Sequence, residues 1–204
     1  MRLKHLKTLL AVAAVLFTVP LSAQDHLKFL DLDIDGPLEE FCHELSLRGY
    51  QPIQDVSDNI RMMETNINGQ PIDLLVVASE DAQHVYRVVF LTQPKISWKW
   101  LRKEYYYYKK LLTEAYGAPT KYVEMFMAPY NTRKKLRRKQ IPAIVEGKGQ
   151  WTSFFSIRDD AGQETGSAMV QIAPSGSLAR VIVVYEDAVN WALYSPDTTE
   201  NEYE

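Results

Sequence analysis

The sequence predicts an α+β fold: an antiparallel sheet of about seven to eight strands with two main helices packed on it. Three observations predict it. Apolar residues alternate with period two in short segments, and the turns between them are too tight for crossovers, so neighbouring strands must run antiparallel. Two other segments, 37–49 and 97–117, carry apolar residues three and four apart, the spacing of a helix with one buried face. At 46% hydrophobic residues, the chain has the material for a core.

The first 23 residues read as a secretory signal peptide rather than as part of the fold. Arg2, Lys4 and Lys7 give a positive start, Leu9 to Leu21 is an uncharged run, and "LSA" presents small residues ahead of a cleavage point near Ala23. The run is too short for a membrane span, which needs ~20 residues. Export to the periplasm or beyond is therefore the expected localisation. The leader holds three basic and no acidic residues, so cleavage takes the formal charge from −3 to −6. An exported acidic chain is a poor match for nucleic acid. No other apolar run approaches a membrane span. Cys42 is the only cysteine, which excludes an intramolecular disulfide and a cysteine-rich zinc site. The expected organisation is one domain over 24–192 and an acidic flexible tail over 193–204.

"LKFLDLDI" opens the domain. Its alternation predicts a half-buried strand, with Leu30, Leu32 and Ile34 on one face and Asp31 and Asp33 on the other. In "PLEEFCHELSLRGY" the period changes. Leu38, Phe41, Cys42 and Leu45 follow helical spacing, Glu39 and Glu40 suit the positive end of the dipole, and Gly49 suits the C-terminal cap. Strands are predicted near 51–56, 59–66, 71–78 and 84–92, with Asn68-Gly69 turning the second into the third. The fourth is apolar on both faces and belongs at the centre. In "SWKWLRKEYYYYKKLLTEAYGAP", Ser97 is placed as N-cap. Trp98, Leu101, Tyr105, Tyr108, Leu112 and Ala115 form the buried stripe, and Gly117 and Pro119 stop the helix. Residues 118–148 read as an excursion from the main sheet, with room for a short strand or helix. From Gly149 the strand pattern resumes as a three-stranded meander ending in "VIVVYED". Each half holds a Gly-ended helix beside a tyrosine, an echo within the reach of common composition.

The "LDLDIDGPLEEFCHELSLRGY" opening, the "YYYYKKLLTEAYGAP" helix and the "VIVVYEDAVN" close resemble uncharacterised secreted proteins of gut-type anaerobic bacteria. The resemblance implies an α+β domain with antiparallel sheet and few helices, and it carries over no catalytic residue.

Few residues have the pattern of a chemical site. Asp31, Asp33, Asp35 and Gly36 match the start of an EF-hand loop, but Cys42 stands where a bidentate Glu is needed and no helix precedes them. No metal or cofactor is expected. Cys42 and His43 are neighbours on a helix, about 100° apart, and cannot pair as nucleophile and base. Gly147 and Gly149 lack a phosphate-loop continuation. Among Tyr105–Tyr108, the flanking Tyr106 and Tyr107 are candidates for an aromatic surface. Arg133, Lys134, Lys135, Arg137, Arg138 and Lys139 concentrate six cations in seven residues of an acidic protein, a candidate contact for an anionic envelope component, a glycan or an acidic protein. The expected function is non-enzymatic binding. The alternative is a hydrolase of envelope or polysaccharide substrates, which needs two carboxylates paired in a cleft. A third reading is an inhibitor-like domain that masks another protein. The metal reading has a direct check: added calcium should leave the melting temperature unchanged, and a rise would restore the EF-hand interpretation.

Overall fold

The computed structural model describes residues 25–195, apart from Asn68 and Arg137. The predicted signal peptide and residues 196–204 of the predicted tail lie outside the described residues, as does Asn68 of the predicted Asn-Gly turn. In chain order the elements are β1 (Lys28–Phe29), β2 (Leu32–Asp33), α1 (Leu38–Leu47), β3 (Gln51–Ser57), β4 (Ile60–Ile67), β5 (Gln70–Ala78) and β6 (Val85–Leu91). There follow α2 (Trp98–Tyr116), β7 (Lys121–Phe126), α3 (Gln140–Val145), β8 (Gly149–Arg158), β9 (Glu164–Ser175), β10 (Leu178–Asp187) and α4 (Ala188–Tyr194). Eight strands form one antiparallel sheet in the order β3-β4-β5-β6-β10-β9-β8-β7. This is the α+β class that the sequence predicts.

The order reveals a repeat. A long helix followed by a four-stranded meander occurs twice, as α1 with β3–β6 and as α2 with β7–β10. The last strands of the two halves pair antiparallel, with Val89 opposite Val184 and Phe90 opposite Val183. The halves are thus related by an approximate twofold axis through the β6–β10 seam. The echo seen in the sequence is a repeat of topology.

α1 and α2 lie on the same sheet face. The side chains that alternate toward them include Met63, Leu74, Val76, Val88, Val170 and Phe155, all nearly or fully buried. α1 contributes Leu38, Phe41, Cys42 and Leu45. Each such side chain gains roughly 1.5–3 kcal/mol on burial. The helix ends as predicted: Gly49 has φ 89°, its N–H bonds Ser46 O, and Tyr50 N–H bonds Leu45 O at 3.1 Å. That is a Schellman ending, and it packs Tyr50 against the core. In α2, Leu101, Tyr105 and Leu112 are buried and Tyr108 is half-buried; Tyr116, rather than Ala115, completes the stripe.

Two expectations are overturned. "LKFLDLDI" is not one strand. β1 and β2 are two residues each, joined by a turn in which Leu30 and Asp31 have φ 52° and 65°. Both central residues of so tight a hairpin need positive φ, a cost that Asp tolerates and Leu does not. Burial of Leu27 and Phe29 before the reversal and of Ile34 after it offsets it. Residues 118–148 are not wholly an excursion either, because β7 is the edge strand of the main sheet. Only 127–148 leave it, between β7 and β8, and α3 returns them by burying Ile141, Ala143 and Ile144. At the C-terminal end, α4 takes in Leu193 and Tyr194, which the sequence assigns to the tail.

A buried polar clasp ties the chain ends together. Asp187, with no exposed surface, accepts from Leu27 N at 2.7 Å and from Asn190 N at 2.8 Å, so it anchors the N-terminal segment and caps α4. Asn190 Nδ2 donates to Ile34 O, Val85 O and Asp35 Oδ1 at 3.2, 3.0 and 2.7 Å. His26 lies between the two carboxylates, 3.2 Å from Asp187 and 3.5 Å from Asp35. Gly166 is required beside it, since a Cβ there would fall 2.4 Å from Glu186 O and 2.8 Å from Leu27. Replacing Asp187 strands buried donors. Asp187→Ala should lower the unfolding free energy in urea by about 3 kcal/mol. A loss within error would remove the clasp as a source of stability.

Candidate functional site

Antiparallel pairing sorts every turn to one of two ends of the sheet. β7 ends at Phe126 opposite Gly149, β9 and β10 turn at Ser175 and Leu178, and β6 ends near Leu91 opposite Ile182. The connection 127–148 and the start of α2 therefore share one end. Trp98 pins them together, with its ring 5.1 Å from that of Phe126 and 4.9 Å from that of Trp151.

That end is basic. Arg133, Lys134, Lys135, Arg138 and Lys139 are exposed in turns leading into α3, and none is paired with a carboxylate among the described residues. Arg137 lies outside the described residues. Lys99, Arg102 and Lys103 join them from the exposed side of α2, and Lys148 from the far side of the connection. The first turn of α2 has no acidic residue. Cations at the positive end of a helix dipole weaken the helix, so this arrangement works against stability. Of the nearby acids, Glu104 is held by Lys95 at 2.8 Å, Glu124 by Lys109 at 2.6 Å, and the exposed Glu146 by a hydrogen bond with Tyr130. Among the cations stand exposed apolar side chains: Ile96 at 81%, Trp100 at 54% and Met127 at 37% of their full accessible surface. Lys103 Nζ lies 5.3 Å from the centre of the Trp100 ring.

The opposite end is acidic. Asp25, Asp33, Glu39, Glu40, Glu80, Asp81 and Asp160 are exposed there, around the start of α1 and the β5–β6 and β8–β9 turns. The molecule is thus a charge dipole along its strands. The sequence shows the 133–139 run but not its union with Ile96, Lys99, Trp100, Arg102 and Lys103. The signal for the latter was present in "ISWKWLRK", a helix start that places cations where acids are favoured.

Tyr106 and Tyr107 do not make one platform. They are 42% and 51% exposed and leave α2 on opposite sides of the buried stripe. Tyr106 donates to Glu124 Oε2 at 2.8 Å and packs edge-on against Trp151. Tyr107 leans with Tyr108 over a groove between α2 and the β1–β2 hairpin. The Tyr106 side is a lock between α2 and the edge strand β7. Tyr105, buried, donates to Glu124 Oε1 at 3.2 Å and shares a 2.7 Å hydrogen bond with Ser153. Burial pushes the Glu124 carboxyl up, but hydrogen bonds from Lys109, Tyr106 and Tyr105 and the Lys109 charge outweigh it and hold it below its usual range.

Other candidates are inert by geometry. Burial pushes the Cys42 thiol up to about 11, so it stays protonated at neutral pH. No group of three His, Cys, Asp or Glu side chains is arranged to hold a metal ion among the described residues. Asp35 and Asp187 are paired across His26, but Asp187 is sealed in the interior with both oxygens engaged, so it cannot meet a substrate. Burial raises the Asp35 carboxyl, and bonds from Gly36, Asn190 and His84 more than offset that. Its interactions hold the chain at the mouth of α1. No helix among the described residues is long and apolar enough to cross a membrane.

Fold and surface together define a class: a two-halved α+β protein with a charge dipole and an apolar, cationic end. No protein-family model, curated protein or solved structure matches the chain.

Because the folded state depresses the Glu124 pKa, its contribution to stability is present above the unfolded value and lost as pH falls through the folded one. Lys109→Met removes the cation that holds the carboxylate. Its destabilisation should be largest at neutral pH and shrink as acid titrates Glu124. A deficit in urea melts that does not change between pH 7 and acid would show that Lys109 acts through packing alone.

Proposed function

We propose that the protein is an exported, non-enzymatic binding protein that docks by its basic end on an anionic lipid surface. One observation carries the reading: exposed Ile96, Trp100 and Met127 are interspersed with unpaired cations on a single end of an acidic molecule. Lysine and arginine near an anionic leaflet gain about 1 kcal/mol each. A tryptophan side chain, with an apolar body and a polar N–H, settles at the headgroup boundary. The acidic end faces away and orients the approach over distances comparable with the Debye length. An acidic polysaccharide would satisfy the cations but leave Ile96 and Trp100 without an apolar partner, so lipid is the better match.

Cosedimentation with phosphatidylcholine vesicles, with and without phosphatidylglycerol, tests this. Binding should require phosphatidylglycerol and fall steeply as salt rises. Arg133→Ala, Arg138→Ala and Lys139→Ala combined should weaken it by about a hundredfold. Trp100→Ala should weaken it while leaving the salt slope intact. Equal binding to neutral vesicles, or capture by an acidic polysaccharide with no vesicle binding, would overturn the proposal.

A further inference from the structure

At the seam between the two halves, the cover over the sheet is incomplete. A groove of about 310 Å³ remains over β6 and β10. Phe90 and Val183 form its floor, Tyr107, Tyr108 and Leu111 one wall, and the hairpin residues Phe29 and Leu30 part of the rim. Its volume sits at the small end of ligand pockets, ≈ 300–1,000 Å³. No charged side chain lines it.

The groove holds hydroxyls as well as apolar surface. Tyr50, Tyr108 and Tyr185 line it, and the Tyr185 phenol lies within electrostatic reach of those of Tyr50, Tyr108 and Tyr116. None of these hydroxyls has a hydrogen-bond partner among the described residues. Buried tyrosine hydroxyls normally find one. Nor do those of Tyr50, Tyr108 and Tyr185 belong to the fully enclosed unpartnered polar atoms, so these three open onto the groove they line. Burial raises Tyr50, Tyr108 and Tyr185, which keeps each a neutral donor at physiological pH. The rim adds a strained element: Leu30, held at φ 52°, is 45% exposed at the mouth rather than packed.

The geometry points to a binding site for an uncharged small molecule with a flat or aliphatic apolar body and a hydrogen-bond-accepting oxygen, such as a ketone. The apolar walls take the body. The phenol cluster donates to the oxygen. The absence of any lining cation or anion disfavours a charged ligand, whose desolvation nothing there would offset. The site is separate from the basic end and does not depend on the lipid reading.

The probe is prodan, a neutral naphthalene carrying a ketone, whose emission reports burial and hydrogen bonding. Titration into the full chain should show saturable one-to-one binding with a shifted emission. Leu111→Trp, at the exposed mouth, should weaken it at least tenfold. Tyr108→Phe with Tyr185→Phe keeps the walls and removes donors. It should weaken prodan severalfold and leave 2-dimethylaminonaphthalene, which lacks the ketone, unchanged. Binding that does not saturate, or that is indifferent to Leu111→Trp, would overturn the site. Equal losses for both probes in the double variant would overturn the role of the phenols. Phosphatidylglycerol vesicle binding by these variants should match that of the parent chain.

Discussion

The pairing of β6 with β10 is the constraint on which the rest of the structure depends. Each half alone is a four-stranded meander with one main helix, and each would leave an edge strand with unpaired N–H and C=O groups beside apolar side chains. Joining the two edges satisfies those groups and buries Val88, Phe90 and Val183 in one continuous core. It also fixes what lies at the boundary. Two helices that belong to different halves, and cover different strands, leave a groove over the seam. The N-terminal hairpin reaches that seam, where the Phe29 and Tyr185 rings are 5.5 Å apart.

The same constraint produces the charge dipole. In an antiparallel sheet every connection falls at one end or the other, so residues far apart in sequence are gathered by the parity of the turn they occupy. The start of α2 and the connection before β8 fall together, and the edge-to-face cluster of Trp98, Trp151 and Phe126 closes them into one surface. The acidic turns fall at the other end. Fixing the N-terminal segment is left to the Asp187–Asn190 clasp, because two-residue strands cannot hold it by backbone pairing alone.

Much of the sheet was legible because its strands alternate strongly and are bounded by turn residues. β3, β4, β5 and β6 lie within a residue or two of their sequence positions, the later meander runs from Gly149 to Asp187, and "HVYRVVFL" sits at the centre because both its faces are apolar. The N-terminal hairpin was not legible. Its alternation is real, but Leu30 carries no sign that it will occupy a left-handed conformation; only the burial available to Phe29 and Leu27 makes that reversal worthwhile. β7 was obscured for the opposite reason: as an edge strand with exposed Tyr122 and Met125, it lacks a clean alternation. Tyr106 and Tyr107, candidates for an aromatic surface at the flanks of the stripe, are exposed there, and the helix turn between them sends one to Glu124 and the other to the groove.

By itself, then, the sequence determined the local elements, the covered face of each helix, the caps that end them and the basic run at 133–139. Periodicity and capping act over a few residues, and a few residues of sequence contain them. Only the tertiary structure decided which edges join, that Ile96 and Trp100 stand among the cations, and that unpartnered phenols open onto one groove. Those depend on which strand ends meet across the sheet, and hydrogen bonding between segments separated by about a hundred residues, as Arg87 and Glu186 are, leaves no local trace in the chain.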